Sequence, residues 1–187
     1  LSVCYRCGTD IVEWAQHLVP HIEPFSGNEK GIVREVYKAE LVKNLTDGCF
    51  IVCRLNAPLV SLCLKLLLEG VAAKIRGKDI ADQLIKTIKQ IQSHKGFSME
   101  NFEYWLDDYY ERELRKIFQR GGRRKKVLEV MLQDRVECIR QFYDKTGAAT
   151  VDEIINGIQR LFIDNQYSQV TLMSGHKSKG LESWFGR

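Results

Sequence analysis

Apolar residues along this chain alternate between helical and strand-like spacing, and the switches mark out the elements. Gly8 and Thr9 read as a helix cap, after which Ile11, Val12, Trp14, Ala15, Leu18 and Val19 recur at helical intervals until Pro20 and Pro24 end the pattern. Residues 31–37, Gly-Ile-Val-Arg-Glu-Val-Tyr, alternate as a short strand would, and residues 39–45 suggest a helical segment closed by Thr46-Asp47-Gly48. Cys49 to Cys53 is a near-continuous apolar run, expected of a strand buried on both faces of a parallel sheet. Pro58 suits the first turn of a helix running to Glu69, with Gly70 as its stop. Val71 to Ile75 reads as the next strand and Ile80 to Ile91 as an amphipathic helix.

Beyond His94 the pattern changes. Ser98 to Thr146 is helical, aromatic and densely charged, with a break at Gly121-Gly122. Val151 to Phe162 forms one more helix, and Tyr167 to Met173 a last strand. Strands alternating with helices at these distances require parallel crossovers, so the expected fold is α/β, an open parallel sheet flanked by helices with a short all-helical insertion. The expected division is one lobe built from residues 1–95 and 147–187, interrupted by a helical insertion at 96–146.

Composition narrows this only a little. At 187 residues and 44% hydrophobic content the chain can bury a core, and its formal net charge of +4 is compatible with a nucleic-acid partner without requiring one. No apolar run is long enough to span a bilayer and Leu1 opens no signal peptide, so a cytoplasmic location without a membrane partner is expected. A start on Leu1 suggests a piece of a longer protein. The six cysteines, at 4, 7, 49, 53, 63 and 138, fit a reduced protein without disulfides. Cys4-x-x-Cys7 with His17-x-x-x-His21 mimics a zinc finger, but the intervening gap is short and Pro20 interrupts the second pair, so no metal site is expected.

Three stretches carry candidate chemistry. Val170 to Met173 empties into Ser174-Gly175-His176-Lys177-Ser178-Lys179-Gly180-Leu181-Glu182, a turn rich in hydroxyl, imidazole and ammonium donors that could hold an anion or could simply be a solvated loop. Leu1 to Cys7 encloses Tyr5-Arg6, an aromatic beside a guanidinium. Ile51 to Leu59 is an apolar strand ending in Arg54-Leu55-Asn56-Ala57. A basic run, from Arg112 to Lys126, follows an acidic one; it could grip duplex phosphates or form salt-laced solvated helices. No G-x-x-x-x-G-K-[ST] cradle is present, and no Asp-Glu pair ends an apolar strand.

Taken along the chain from Leu1, these three stretches resemble motifs of superfamily 1 DNA helicases of the UvrD/Rep type: Leu1 to Cys7 the L-x-x-N-Y-R-S segment, Ile51 to Leu59 the strand ending in R-x-N-A, and Thr171 to Glu182 the motif T-x-H-x-x-K-G-L-E. The chain resembles the second RecA-like lobe. The resemblance implies an ATP- and Mg2+-dependent DNA helicase as the full-length parent, with the magnesium ligands and the first RecA-like lobe elsewhere in that parent. It implies that Tyr5 stacks on adenine, that Arg6 acts as an arginine finger, and that Lys179, Gly180 and Glu182 shape the nucleotide side. Arg54, Asn56, Ser174 and His176 match positions facing single-stranded DNA, and Arg76 follows a strand in a comparable place. Tyr5-Arg6 and Glu182 would then line one cleft edge. Cys4 and Cys7 depart from the family's asparagine and serine, and the helical insertion is short. A degenerate, non-catalytic lobe that binds DNA or acts as a scaffold is the alternative, and an unrelated nucleotide-binding α/β domain a third reading.

Overall fold

The computed structural model describes residues 2–37, 40–162, 168–179 and 181. The chain divides into two compact units, Leu1–Asn44 and Leu45–Arg187.

In the first unit, β1 (Val3–Cys4) and β2 (Glu23–Pro24) form a two-stranded parallel ribbon, with α1 (Thr9–Ala15) between them in sequence. The Glu23 amide donates to Ser2 O at 2.7 Å and the Phe25 amide to Cys4 O at 3.1 Å. The helix ends earlier than its apolar spacing suggests. Pro20 disfavours helical geometry at Val19, and after Ala15 the chain turns through Leu18 N–H to Ala15 O. Residues 31–37 form no strand, which corrects the alternation reading. A strand needs a hydrogen-bonded neighbour, and the strand pairings among the described residues leave this stretch without one. The helix expected over 39–45 is replaced by 3-10 geometry at Glu40 and at Val42–Asn44, with Ala39 outside the described residues.

The second unit is α/β. Its strands are β3 (Cys49–Cys53), β4 (Ala73–Arg76) and β5 (Val170–Ser174); its helices are α2 (Ala57–Leu68), α3 (Lys78–Gln92), α4 (Phe102–Arg120), α5 (Lys125–Thr146) and α6 (Val151–Leu161). All strands are parallel in the order β3-β5-β4, with Cys53 opposite Ser174 and Arg76 opposite Met173. The last strand in sequence is therefore central, and Val170, Leu172 and Met173 are buried. By contrast β3 has β5 as its one strand neighbour among the described residues, and Val52 is 50% exposed, so the expectation that the Cys49–Cys53 run is buried on both faces is corrected.

Helices cover this small sheet. Pro58 sits in the first turn of α2 as its fixed φ favours, and Leu59, Val60, Cys63 and Leu66 form the buried stripe at i, i+3/i+4 spacing. Ala81, Leu84, Ile88 and Ile91 do the same on α3, which packs against α6. At the start of α6 the Thr150 hydroxyl accepts from Glu153 N–H at 3.2 Å while the Glu153 carboxylate accepts from Ala149 N–H at 2.8 Å, a capping-box arrangement that fixes where the helix begins. The charged helices α4 and α5 are hinged at Gly121-Gly122 and pack on each other, and α5 also packs on α2 and α3.

Candidate functional site

A cleft of about 580 Å³ opens beyond the carboxyl ends of β3 and β5. Parallel α/β sheets present ligand sites at this edge, because the strands release their connections there and the following helices begin there. Arg54, Leu55 and Asn56 leave β3, Ser174, His176 and Lys177 leave β5, and Asp79, Ile80 and Gln83 come from the first turns of α3. The opposite wall is α5, with Lys126, Val127, Val130, Met131, Asp134 and Arg135. Four residues singled out from the sequence, Arg54, Asn56, Ser174 and His176, thus line a single cleft although they come from two distant segments.

The β3–β5 register continues past the strands. Gly175 N–H donates to Cys53 O at 3.2 Å, and Lys177 and Ser178 N–H both reach back to Ser174 O. The turn carrying Ser174 and His176 is thereby held beside Arg54. Its other anchor is an ion pair, Lys177 Nζ to Asp79 Oδ1 at 2.7 Å, which ties it to the start of α3. Both side chains are partly exposed, so this pair contributes about 0–1 kcal/mol and serves mainly to orient the loop.

Asp134 is the residue that sequence reasoning missed. Its carboxylate accepts from Asn56 N–H at 2.9 and 3.0 Å, from Ala57 N–H at 2.9 Å, and from Asn56 Nδ2 at 2.9 Å. Asn56 makes no capping bond with its own side chain, so a carboxylate from α5 caps α2 instead. Asn56 Oδ1 is buried without a hydrogen-bond partner among the described residues. The role of Asn56 is therefore partly architectural: it joins β3, α2 and α5 at the floor of the cleft.

These bonds decide the electrostatics. Of the two carboxylates in the cleft, Asp79 is paired with Lys177 and Asp134 is saturated by helix amides. Arg54 and Lys126 have no ion-pair partner among the described residues, and Arg135 bonds only the neutral Gln83 amide, at 3.3 Å. The balance is positive. It continues onto the α4–α5 turn, where Arg120, Arg123 and Arg124 are exposed and likewise without a carboxylate partner among the described residues. The basic run is thus split. Arg112 pairs with Asp108 at 2.9 Å and Lys116 with Glu113 at 2.6 Å as a salt-laced helix does, whereas the later cations face solvent. Beside the cations, Leu55, Val127, Val130 and Met131 offer exposed apolar surface.

The remaining candidates lie elsewhere. Tyr5 and Arg6 belong to the first unit. Both are exposed, and the Tyr5 ring leans on Phe25 with 4.9 Å between centroids, leaving an aromatic surface free for stacking. Lys179 is an exposed turn residue, Arg76 ends β4 half-buried, and Gly180 and Glu182 lie outside the described residues. Among the described residues no three His, Cys, Asp or Glu side chains gather as a metal site, and no helix is long and apolar enough to cross a membrane. No family model, no curated protein and no solved structure matches this chain.

Proposed function

We propose that this chain is the second RecA-like motor lobe of an ATP-dependent superfamily 1 DNA helicase or translocase acting in the cytoplasm, and that the cleft is its track for single-stranded nucleic acid. The observation that carries the reading is the cleft itself. Arg54, Asn56, Ser174 and His176 stand at the carboxyl edge of a parallel sheet, in a site where the cations Arg54, Lys126, Arg135 and Lys177 outnumber the carboxylates Asp79 and Asp134. A polyanion suits that balance. Arg54, Lys126 and the Ser174 hydroxyl would meet phosphate oxygens, and the Val127–Val130–Met131 wall would meet the faces of unpaired bases, which are apolar. The exposed cations of the α4–α5 turn would extend the contact to flanking duplex.

The nucleotide side rests on Tyr5 and Arg6. An exposed ring beside a guanidinium fits a purine base and a terminal phosphate, so Tyr5 would stack and Arg6 would neutralise charge on the transferring oxygens. ATP, with magnesium, would supply the phosphoryl bond, and the remaining phosphate ligands would come from the first lobe of the same parent. A second reading, the non-catalytic lobe, is favoured by one feature: Cys4 and Cys7 stand where the family has asparagine and serine.

Titration of a labelled oligothymidine against the 187-residue chain tests the track. Binding is expected to weaken linearly in log affinity against log salt, and Arg54→Ala or Lys126→Ala each to reduce that slope by about 0.7. Equal affinities and slopes for wild type and a combined Arg54→Glu/Lys126→Glu variant would remove the cleft from nucleic-acid binding. In the full parent, Arg6→Ala separates the two readings. A motor loses turnover by about a thousandfold, while a non-catalytic lobe has none to lose.

A further inference from the structure

We propose that Cys4 and Cys7 are a redox-active pair that closes into a reversible disulfide around Tyr5 and Arg6. The pair is built by the local fold. Asn28 Nδ2 donates to both Cys4 O and Cys7 O at 2.8 Å, so a single amide group gathers the two ends of the turn, and Phe25 N–H also holds Cys4 O, at 3.1 Å. Cys4 and Cys7 therefore belong to one tight turn, three positions apart. Both residues are partly accessible, as is Cys53 on β3, whereas Cys49, Cys63 and Cys138 are buried in the second unit. The inference does not depend on the motor reading, because it concerns only the first unit.

Their environments assign different roles. The backbone N–H groups of Arg6 and Cys7, with the Arg6 charge, hold the Cys4 thiol below its usual range. Burial pushes Cys7 up, and proximity to Cys4 adds to the effect. Cys4 is therefore the attacking thiolate and Cys7 the resolving thiol. Burial alone raises Cys63 to about 12, and Cys49 and Cys138 are pushed up as well, which leaves them inert by comparison.

The oxidant is a small-molecule disulfide such as glutathione disulfide. The Cys4 thiolate attacks one of its sulfurs, expels one glutathione thiolate and leaves a mixed disulfide on Cys4. Cys7, giving up its proton to solvent, then attacks Cys4 Sγ and expels the second glutathione. Two protein thiols are oxidised by two electrons, one disulfide is reduced to two thiols, and the reverse exchange restores the open turn. Since Tyr5 and Arg6 are the residues enclosed, the state of the pair sets how freely that turn can move.

The reduced 187-residue chain, incubated with glutathione disulfide and then blocked with N-ethylmaleimide, gives a direct reading by mass. Trypsin cleaves after Arg6 and next after Lys30, so a Cys4–Cys7 bond leaves residues 1–6 covalently joined to residues 7–30. The expected result is that joined pair, lost again with dithiothreitol. Cys7→Ser should accumulate stable glutathione on Cys4, and Cys4→Ser should be modified at Cys7 more slowly than Cys7→Ser is at Cys4. Persistent mixed adducts in the wild type without the joined peptides would overturn the proposal. So would a bond to any other cysteine, or equal rates in the two single variants.

Discussion

Removing the Asp134 carboxylate would strand the Asn56 and Ala57 amides at the start of α2 and leave Asn56 Nδ2 without its acceptor. Losing one buried acceptor costs about 1–3 kcal/mol, and the affected groups belong to one node and do not add independently. Asp134→Ala is therefore expected to lower unfolding free energy by about 2–3 kcal/mol in urea titration, with Asp134→Asn, which keeps one oxygen, losing roughly half as much. A change within about 0.5 kcal/mol, the range of ordinary surface substitutions, would show that the cap is not holding the helix. Sequence alone could not find this residue. It is one acid on a charged helix, 78 positions from its partner, and nothing in its neighbours distinguishes it from Glu137 or Asp144. The strand end that carries Arg54 and Asn56 was legible locally, because an apolar run precedes a proline-started helix, while the two side chains themselves were singled out by the resemblance to the R-x-N-A motif.

At the scale of elements, α5 and α6 meet where Gly157 faces the Phe142 ring. A Cβ built on Gly157 would lie 2.1 Å from Phe142 Cζ, inside any tolerable contact, so the aromatic must move or the helices must part. Gly157→Ala gains helix propensity of about 1 kcal/mol, but overpacking of this severity costs about 1–3 kcal/mol. The expected outcome is a lower melting temperature, relieved when Phe142→Leu is added and the ring withdrawn. Additive losses in that double variant would place the strain elsewhere. The helices themselves were readable because α2, α3 and α6 each carry a complete apolar stripe over three or more turns. Periodicity failed at residues 31–37, since alternation states which faces a strand would have and says nothing of whether a neighbour exists. It also hid the strand order, because which run becomes central depends on crossovers and not on local composition.

For the whole molecule, the two units differ in what they can bury. Among the described residues Val12 is the only buried apolar side chain of the first unit, while Trp14, Leu18, Ile32 and Tyr37 are exposed. Its strands are two residues each, and its helix of seven residues is too short to persist on packing this thin. A segment of that size without disulfides or metal falls below what burial can offset against chain entropy. The second unit holds Leu59, Leu66, Ile75, Ile88, Ile139, Ile158 and Leu172 at 1% exposure or less, beneath a parallel sheet and five helices. A protein begun at Leu45 is therefore expected to keep its helical circular dichroism and unfold cooperatively, whereas a peptide of residues 1–44 should give a coil spectrum. Within the first unit Asn28 Nδ2 holds the two carbonyls of the Cys4–Cys7 turn, so Asn28→Ala in the 187-residue protein is expected to slow closure of the Cys4–Cys7 bond. Closure at the wild-type rate in Asn28→Ala would mean that the turn is set by its own few residues, and a helical spectrum from the 1–44 peptide would mean that the ribbon and α1 persist by themselves.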